Sequence, residues 1–397
     1  MTSPRFLILY AEAGAGHRRA AEALADELLA RGAAVQQQDV MQQAHPLFRA
    51  TYVGGGLNLI TRHPRLYGLG YQLADAPAVD RLLRAPRLLA QQLSLPSLFH
   101  TITAFQPNVV VCTHYLPAEL CAHWRRSGRL PLPLHTVITD FDPHVFWQHP
   151  GIDAYYAPTE AARNRLIHDG IDPAMIHITG IPIDQRFARQ PDRIAATRRL
   201  PIAPDRPVLL MIGGGLGVGA LEAVAQALLA QPLDAQCVFI TGSNHDLRRK
   251  LQAMSRRWIV RGFVDNMPDW LAVADVAISK AGGLAASELL AAGVPTLVPR
   301  ILTGHEARNA DYFASTGAAL LVDSAAAAVA QADRLLRDPI GRAAMQHAAR
   351  QVARPQAAQH IVDLIWRAAH AAHPAPDAAQ PSSLITQHVP HSPVSSR

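Results

Sequence analysis

Short apolar runs alternate with longer segments of helical periodicity along most of the chain. RFLILY (5–10) and NVVVCTH (108–114) are typical of buried strands, and the Ala-, Leu- and Glu-rich segment 17–32 predicts an amphipathic helix that ends at Gly32. The order of strand, glycine-rich loop and helix begins again at PVLLMIGGGLGVG (207–219). Strands that alternate with helices in this way form parallel sheets whose faces are both covered. The pattern therefore predicts an α/β protein with two facing Rossmann-like domains and a cleft between them.

The boundary between the two predicted domains falls in the Pro- and Arg-rich stretch 187–206, which has no core pattern. We expect the first domain over residues 1–190 and the second over residues 206–370. The Pro-, Ser-, His- and Gln-rich end of the chain, 372–397, predicts a disordered tail. Ligands of parallel sheets bind beyond the carboxyl ends of the strands, so the interdomain cleft is the expected site.

The region from Met41 to about Leu98 interrupts the alternation of strands and helices. Its centre is aromatic and Gly-rich, and the stretch from Arg49 to Arg87 contains six arginines and two aspartates, a local charge of +4. Arginines interleaved with aromatic residues fit a segment that lies on a membrane surface. They fit equally a set of helices packed against their own domain, and the sequence leaves both interpretations open.

Composition narrows the classes of partner and compartment. The 397 residues are 49% hydrophobic, and the formal net charge of +6, with a pI of about 9.5, suits an anionic partner such as nucleic acid, a phospholipid surface or a nucleotide. Cys112, Cys121 and Cys237 lack metal-ligand spacing, and Cys112 and Cys237 are expected in the core, which fits a reducing cytoplasm. No apolar run has the length of a membrane-spanning helix, and the N-terminus has no signal-peptide layout. We therefore expect a cytoplasmic protein that meets a membrane only at its surface.

The chain between Ser279 and Asn309 carries the most specific candidate chemistry. Gly282 and Gly283 lie between an apolar strand and a helix, where glycine lets backbone N–H groups approach a phosphate and the helix N-terminus favours an anion. Glu288 follows one turn into that helix, where its carboxylate could accept hydrogen bonds from ribose hydroxyls. An ordinary βαβ turn with a solvated glutamate is the alternative.

A polar cluster, His305, Glu306 and Asn309, follows the next apolar strand, VPTLVP. A hexose offers several hydroxyl groups, and a carboxylate together with neutral donors and acceptors suits them. Together with Glu288 on the preceding helix, this cluster predicts a pocket for a nucleotide sugar.

Two loops complete the candidate nucleotide site. The glycine loop 213–219 matches neither a Walker loop nor a strict GxGxxG, but its place between a strand and a helix suits a diphosphate. Its candidate residues are Gly214, Gly215, Gly217 and Gly219. In the turn RGFVDN (261–266), backbone groups of Phe263 and Val264 could read the edge of a uracil. Tight strand–helix packing is the plain alternative for the first loop, and an ordinary connection for the second.

His17 is the candidate general base. The motif GAGH (14–17) joins the first strand to the first helix, so the imidazole projects from a helix N-terminus, whose positive end lowers its pKa. A neutral imidazole could accept the proton of an alcohol, and Glu12 lies within reach to orient the ring. A histidine that merely caps the helix is the alternative.

A second polar cluster lies in TDFDPHVFW (139–147), which closes a predicted strand of the first domain. Asp140, Asp142 and His144 include ligand types, but no second cluster completes a metal site. We therefore expect no metal here, and favour a loop that is structural or shapes the acceptor site. Trp147, at the end of this motif, is a candidate for acceptor or membrane contact.

These motifs together resemble the diacylglycerol glycosyltransferases of the monogalactosyldiacylglycerol synthase family. The likeness covers roughly residues 5–325, and its marks occur in family order: AEAGAGHRRAAEAL, HPRLYGLGYQL, QPNVVVCTHYLPAEL, TVITDFDPHVFW, IGGGLGVG and SKAGGLAASELLAAGVPTLVP. The resemblance implies a GT-B fold, a uridine-diphosphate (UDP) sugar donor without a further cofactor, an inverting transfer that needs no metal, and a diacylglycerol-type acceptor. It also implies peripheral association with the inner face of the cell membrane and no nucleic-acid partner.

The resemblance assigns a role to each matched group: the general base to His17, the diphosphate contacts to Gly214, Gly215 and the loop to Gly219, the ribose contact to Glu288, and the sugar and nearby loop contacts to Glu306 and Asn309. The candidates for acceptor and membrane contact are Arg62, Arg65, Tyr67, Tyr71 and Trp147. His305 departs from the family, which usually has Gln at this position, and this leaves the identity of the hexose open.

Three rival functions share parts of this pattern. A lipid-linked UDP-GlcNAc transferase of the peptidoglycan type has the same plan, but the HPRLYG and TDFDPHVFW signatures argue against it. A non-hydrolysing UDP-sugar epimerase would need carboxylates that face the sugar from both domains. A nucleotide-binding accessory subunit would not need the intact His17 and Glu288.

Overall fold

The structure, a computed structural model, describes most of the chain. The described residues are 3–12, 15–55, 59, 62–189, 192–215, 220–300 and 304–372. The tail predicted over 372–397 lies outside them beyond its first residue, as do Gly217 and Gly219.

The first sheet is built from parallel strands in the order β2-β1-β3-β4-β5-β6. Its strands are β1 (Arg5–Tyr10), β2 (Ala34–Asp39), β3 (Val109–Cys112), β4 (Leu134–Val137), β5 (Ala154–Ala157) and β6 (Ile176–Ile178). Every residue of β3, β4 and β5 is buried, as expected of parallel strands covered by helices on both faces.

The second sheet is also parallel, in the order β12-β11-β10-β7-β8-β9. Its strands are β7 (Val208–Ile212), β8 (Gln236–Ile240), β9 (Ile259–Arg261), β10 (Val276–Ser279), β11 (Thr296–Pro299) and β12 (Ala319–Val322). The two sheets confirm the prediction of two Rossmann-like units in an α/β fold. Cys112 and Cys237 are buried, as predicted, and Cys121 is buried as well.

Helices cover both sheets. Those within or next to the first are α1 (Ala15–Ala30), α2 (Pro46–Arg49), α3 (Pro64–Ala74), α4 (Pro77–Ser94), α5 (Pro96–Phe105), α6 (Tyr115–Arg126) and α7 (Glu160–His168). The remainder are α8 (Arg193–Arg199), α9 (Leu221–Ala230), α10 (His245–Met254), α11 (Met267–Val273), α12 (Gly283–Ala292), α13 (His305–Ser315), α14 (Ala325–Arg337), α15 (Pro339–Val352) and α16 (Ala357–Ala372).

The last helix falls within the predicted second domain, 206–370, but contacts the first sheet. Helix α16 packs against the first sheet, where Ile361, Val362 and Ile365 lie in one buried cluster with Phe6 and Ile8. Its apolar residues recur at helical spacing, so the sequence marks it as a helix with one buried face. That periodicity carries no information on which of two similar sheets the face will cover.

The region from Met41 to Leu98 is a helical insertion between β2 and β3. Helices α3, α4 and α5 each begin at a proline, whose fixed φ and missing N–H suit the first helical position. No helix among the described residues is both long and apolar enough to cross a membrane.

Part of the insertion's positive charge is neutralised by acidic residues of the same domain. Not all of its arginines are therefore available to form a basic surface. Arg87 pairs with Asp80 at 2.8 Å and with Glu119 of α6 at 2.6 Å, and Arg84 pairs with Asp80 at 2.6 Å. Asp80 and Glu119 are almost fully buried, so these arginines hold α4 to the domain. Arg62, Arg65 and Arg81 remain exposed.

Candidate active site

His17 lies in the first turn of α1, at the carboxyl edge of the first sheet. Its Nδ1 lies 2.8 Å from the carbonyl oxygen of Thr113 and 2.9 Å from Oγ1 of Thr139. These threonines follow β3 and β4, which are the next strands beyond β1 in the sheet. The parallel topology therefore brings three turns together around one imidazole ring.

These contacts determine the tautomer of His17. A carbonyl oxygen can only accept a hydrogen bond, so Nδ1 carries the proton and Nε2 keeps its lone pair. No described residue forms a hydrogen bond with Nε2. Burial lowers the pKa of His17, partly opposed by the negative charge of Asp140. The ring is therefore neutral at neutral pH and has the protonation state of a general base.

Glu12 does not orient this ring. Its carboxylate instead lies 3.2 Å from the guanidinium of Arg18, and its side chain is 42% exposed. The orienting position predicted for Glu12 belongs to Thr113 and Thr139. Both threonines directly or closely follow strands of the same parallel sheet. Because the carboxyl ends of parallel strands share an edge, this position could have predicted that they lie near His17.

Aromatic residues and Asp140 surround His17 on the side of the first domain. The rings of His17 and His114 lie 4.4 Å apart at a steep angle, and Trp147 is buried with its ring centroid 6.3 Å from that of His17. Nε1 of Trp147 donates to Oδ2 of Asp140 at 3.2 Å. Trp147 thus holds Asp140 beside the base rather than facing a membrane, and burial also lowers the pKa of His114.

Helix α13 brings the predicted sugar cluster to the opposite wall. Asn309 is fully buried, and its side chain accepts a hydrogen bond from the N–H of Phe141 at 2.8 Å and donates to Asp140 at 3.2 Å. Asn309 therefore ties α13 to the first domain. His305 faces the ring of Tyr71 at 6.2 Å between ring centroids, and Glu306 pairs with Lys280.

A second interdomain contact, missed at the sequence level, reinforces this arrangement. Arg308 pairs with buried Asp75 at 2.7 Å and lies over the ring of Tyr71 at 5.2 Å. Asp75 also receives a hydrogen bond from the N–H of Val145 at 2.9 Å and pairs with Arg165 at 3.1 Å. The insertion and the sugar cluster are thereby joined through one carboxylate.

Glu288 lies in an interdomain cavity of about 270 Å³ between α1 and α12. Arg19, Asp184, Arg186 and Asp265 also line this cavity. Burial raises the pKa of Glu288 to about 7, opposed by the charges of Arg19 and Arg186. The predicted alternative, a solvated glutamate on an outer helix face, does not match this position.

The predicted base loop lies near the same cavity. Phe263 exposes 53% of its surface, and the guanidinium of Arg19 lies 5.3 Å from its ring centroid. Val264 packs against the buried cluster that contains Trp270 and Leu271. Arg19 of the first domain thus reaches the loop that the sequence analysis proposed for a uracil.

The candidate glycines have different surroundings. Gly214 has φ +69°, which favours glycine. A Cβ atom at Gly215 would collide with Ala15, and one at Gly283 would collide with the carbonyl oxygen of Thr139, whereas Gly282 faces open space. Gly215 and Gly283 therefore allow the two domains to approach closely, a use that the phosphate interpretation did not anticipate.

The candidate acceptor residues divide into two groups. Arg62 and Arg65 are exposed. Tyr67 and Tyr71 face the cleft: Tyr67 lies against Gly304, and the ring centroid of Tyr71 lies 4.4 Å from that of His144. Burial raises the pKa of Tyr67 to about 12. These two tyrosines therefore line the site rather than an outer surface.

The polar cluster of 139–147 is used in bonds within the protein. His144 donates from Nε2 to the carbonyl oxygen of Tyr71 at 3.0 Å, and Asp142 lies 3.6 Å from Arg308. Within the described part of the chain, no group of three His, Cys, Asp or Glu residues could hold a metal ion.

Two facing Rossmann-like domains that bring a neutral histidine and a carboxylate-containing pocket to one cleft have the layout of the GT-B fold. Solved structures support the fold. The calicheamicin glycosyltransferase CalG4 aligns with a TM-score of 0.62 at 16% identity, over 95% of this chain and all of the other. MurG of Acinetobacter baumannii aligns with a TM-score of 0.56 at 17% identity, over 92% and 99%.

The fold alone does not separate the rivals. UDP-GlcNAc 2-epimerase of Neisseria meningitidis aligns with a TM-score of 0.56 at 14% identity, over 91% of this chain and all of the other. Epimerases and transferases thus share this architecture.

Sequence comparison is more specific. Residues 17–183 match the monogalactosyldiacylglycerol (MGDG) synthase family, and residues 208–361 match the glycosyltransferase family 28 C-terminal domain. A processive diacylglycerol beta-glucosyltransferase of Bacillus cereus (strain AH187) is 27% identical over 374 residues, 93% of this chain and 95% of the relative. The two family matches and this relative confirm the predicted resemblance to the MGDG synthase and diacylglycerol glycosyltransferase family, and the prediction of a UDP-sugar-dependent glycosyltransferase is also confirmed.

Proposed function

We propose that this protein transfers a hexose from a UDP-sugar to a diacylglycerol-type lipid at a membrane surface, with inversion and without a metal ion. The observation that carries the chemistry is the tautomer of His17, with Nδ1 bonded to Thr113 and Nε2 not hydrogen-bonded to any residue that the structure describes. The family, and the activity in the name of the Bacillus cereus relative, support the class of acceptor.

The transfer is a single displacement. Nε2 of His17 takes the proton of the acceptor hydroxyl while that oxygen forms a bond to the anomeric carbon. The bond from this carbon to UDP breaks on the opposite face, and its electron pair leaves with the diphosphate. Asp140, which raises the pKa of His17, stabilises the imidazolium that forms. An α-linked donor therefore gives a β-linked product.

The second domain takes the donor. Glu288 suits the ribose hydroxyls, and the loop at Phe263 suits the base, because both lie at the cavity between α1 and α12. Gly214 and the N-terminus of α12 supply backbone N–H groups for the diphosphate. Positive helix ends can stabilise the leaving group, which is the basis for proposing a metal-independent reaction.

Exposed leucines of the insertion support the membrane contact. On α3, Leu66, Leu69 and Leu73 recur at helical spacing and are all exposed. On α4, Leu82 and Leu93 are 76% and 72% exposed. Apolar stripes of this kind on neighbouring helices fit the headgroup region of a bilayer.

The exposed arginines of the same helices complement an anionic surface. Arg65 and Arg81 extend from α3 and α4, and each basic residue near an anionic leaflet contributes on the order of 1 kcal/mol, reduced by salt. Arg84 and Arg87 are excluded from this role because Asp80 and Glu119 already pair with them. The proposed membrane face therefore consists of the exposed leucines of α3 and α4 with Arg62, Arg65 and Arg81.

The activity test is direct. The full chain is incubated with UDP-glucose, UDP-galactose or UDP-GlcNAc and vesicles that contain diacylglycerol, with and without EDTA. Lipid mass spectrometry and NMR of the anomeric proton should reveal a β-linked glycolipid whose formation EDTA does not affect. An epimerised nucleotide sugar without lipid product, or transfer only to a polyprenyl diphosphate-linked sugar, would contradict the proposed acceptor.

The membrane test uses sedimentation with vesicles. We expect binding to vesicles that contain phosphatidylglycerol, weaker binding to neutral vesicles, and loss at high salt. Replacing Leu69, Leu73, Leu82 and Leu93 by Gln should abolish binding and lipid glycosylation while UDP affinity is retained. The control replaces Leu229 and Ile340, which are exposed on the second domain, by Gln. Equal loss in the control would mean that the leucine face has no special role.

A further inference from the structure

Lys280 is a cation at the centre of the candidate donor site that the family motifs did not assign. It follows β10 directly and precedes Gly282 and Gly283. It is one of two lysines in the sequence, the other being Lys250. The strand order places β10 beside β7, so the end of β10 lies next to the glycine loop after β7.

The side chain of Lys280 extends across this loop. A Cβ atom at Gly214 would lie 2.9 Å from Cε of Lys280 and 3.8 Å from its Nζ. Gly214 is therefore favoured by its positive φ, and the flexible end of Lys280 lies directly over it. The ammonium group consequently lies beside the backbone that the proposed function assigns to the diphosphate.

The ammonium group pairs with Glu306 at the start of α13. The side chains of Lys280 and Glu306 are 28% and 18% exposed. An ammonium group has three donors, so one carboxylate leaves capacity for further acceptors. Glu306 in turn belongs to the cluster that suits sugar hydroxyls. One ion pair thus joins the diphosphate loop to the sugar cluster.

We propose that Lys280 binds the diphosphate of the nucleotide sugar, and that Glu306 positions its ammonium group for this contact. The inference rests on the proposed function, because it takes the loop at Gly214 as the diphosphate site. On donor binding, phosphate oxygens engage the free donors of the ammonium group, and Glu306 can turn an oxygen to a sugar hydroxyl. When the bond to the anomeric carbon breaks, Lys280 lies beside the growing negative charge of UDP.

Calorimetry of the full chain with uridine, UMP and UDP tests this assignment. Lys280→Met should weaken UDP binding about tenfold to a hundredfold, as expected for a lost hydrogen bond between charged groups, and leave uridine binding unchanged. Lys250→Met is the matched control, because Lys250 pairs with Glu222 on an exposed surface. We expect this control to bind all three ligands as the wild type does.

A double variant separates two causes of weaker UDP binding: loss of the contact between Lys280 and the phosphate, and repulsion of the phosphate by an unpaired Glu306. Lys280→Met leaves Glu306 without its partner, and this charge could itself repel a phosphate. Lys280→Met with Glu306→Gln removes both charges, and we expect UDP binding to stay as weak as in the single variant. Recovery of wild-type affinity in the double variant would overturn the proposal. Thermal melts should confirm that the variants are folded.

The outcomes distinguish this inference from the function on which it rests. Normal UDP binding by the wild type together with unchanged binding by Lys280→Met overturns only the assignment of Lys280. Failure of the wild type to bind UDP overturns the proposed function, and this assignment with it. Equal weakening of uridine and UDP binding would show a general loss of the site and would also refute a diphosphate contact.

Discussion

The turns after β1 and after β7 begin alike but present different groups to the cleft. Each takes a buried apolar strand into glycines beside the opposite domain. The first turn presents a side chain, His17, which Thr113 and Thr139 hold at Nδ1. The second presents backbone at Gly214 and Gly215, with the ammonium group of Lys280 above it. The same local fold therefore supports two kinds of chemistry.

The difference follows from what each ligand requires. A proton must pass to one atom, so its acceptor needs a fixed ring and a fixed tautomer, which neighbouring strands provide. A diphosphate spreads its charge over several oxygens, and several backbone N–H groups with a mobile cation suit it. The comparison predicts that changes in the first turn impair the rate, whereas changes in the second domain impair donor binding.

The largest expected effect is that of His17→Ala. Loss of a general base typically lowers the rate by about a hundredfold to ten-thousandfold. UDP affinity should remain near that of the wild type, because the ring lies outside the cavity that contains Glu288. Steady-state kinetics and calorimetry measure the two quantities separately.

His168→Ala provides a control for this variant, because His168 is exposed at the end of α7 and its ring contact is with Asp169 rather than with His17. Its kinetics should match the wild type. If His17→Ala retains more than half of the wild-type turnover, the first turn does not supply the base. The proposed division of roles between the two turns would then be wrong.

Much of this arrangement could be predicted from strand periodicity. The glycine turns identified the cleft, and His17 and Glu288 lie in it as expected. The partners of His17 were not identified, because Thr113 and Thr139 are distant in sequence and meet it only through the order of the strands. Glu12, which is close in sequence, turns to Arg18 instead.

Contacts between the domains were hardest to infer. Asn309 was assigned to the sugar by motif, yet its amide is bonded to Phe141 and Asp140 of the other domain. Gly283 was assigned to a phosphate, yet it makes room for the carbonyl oxygen of Thr139. Polar and glycine residues suit a ligand and a domain interface for the same physical reasons, so residue type alone does not separate the two uses.

Glu288→Gln should weaken UDP binding about tenfold to a hundredfold, since it removes a charged acceptor for ribose hydroxyls. Turnover at saturating donor should change much less, in contrast to His17→Ala. Calorimetry with UDP gives the affinity, and Glu222→Gln on the exposed face of α9 serves as a control. An unchanged affinity would remove Glu288 from the donor site.

The same variant should alter stability in a pH-dependent manner. The pKa of Glu288 is about 7 in the folded protein against an ordinary glutamate value of 4.5, so the folded state binds its proton more tightly. Wild-type stability therefore falls as the pH rises from about 4.5 to 7, and the loss persists above 7. Glu288→Gln lacks this loss and should melt higher than the wild type at pH 8, with the difference vanishing near pH 4.5. An identical difference at both pH values would contradict the raised pKa.

The pH profile of the reaction tests the first turn more finely. Because burial lowers the pKa of His17, kcat/KM should begin to fall only as the pH drops below the ordinary histidine value of about 6.5. Asp140 raises this pKa, so Asp140→Asn should move the acidic limb to lower pH and reduce the plateau rate. A limb that moves upward, or does not move, would show that Asp140 does not act on the base.

The smallest expected effect is a change of sugar preference in His305→Gln. His305 lies at the start of α13 beside Tyr71. In a neutral histidine the tautomer decides which ring nitrogen donates and which accepts, whereas a glutamine amide always has a carbonyl acceptor and an NH₂ donor. We expect the ratios of kcat/KM among UDP-glucose, UDP-galactose and UDP-GlcNAc to change by less than about tenfold, with UDP bound as before. The change should alter the choice of hexose, which neither turn controls. Proton transfer to the base and binding of the diphosphate should remain as in the wild type. Identical ratios in the wild type and the variant would place sugar selection elsewhere, and Glu306, whose carboxylate is shared with Lys280, would be the next residue to replace.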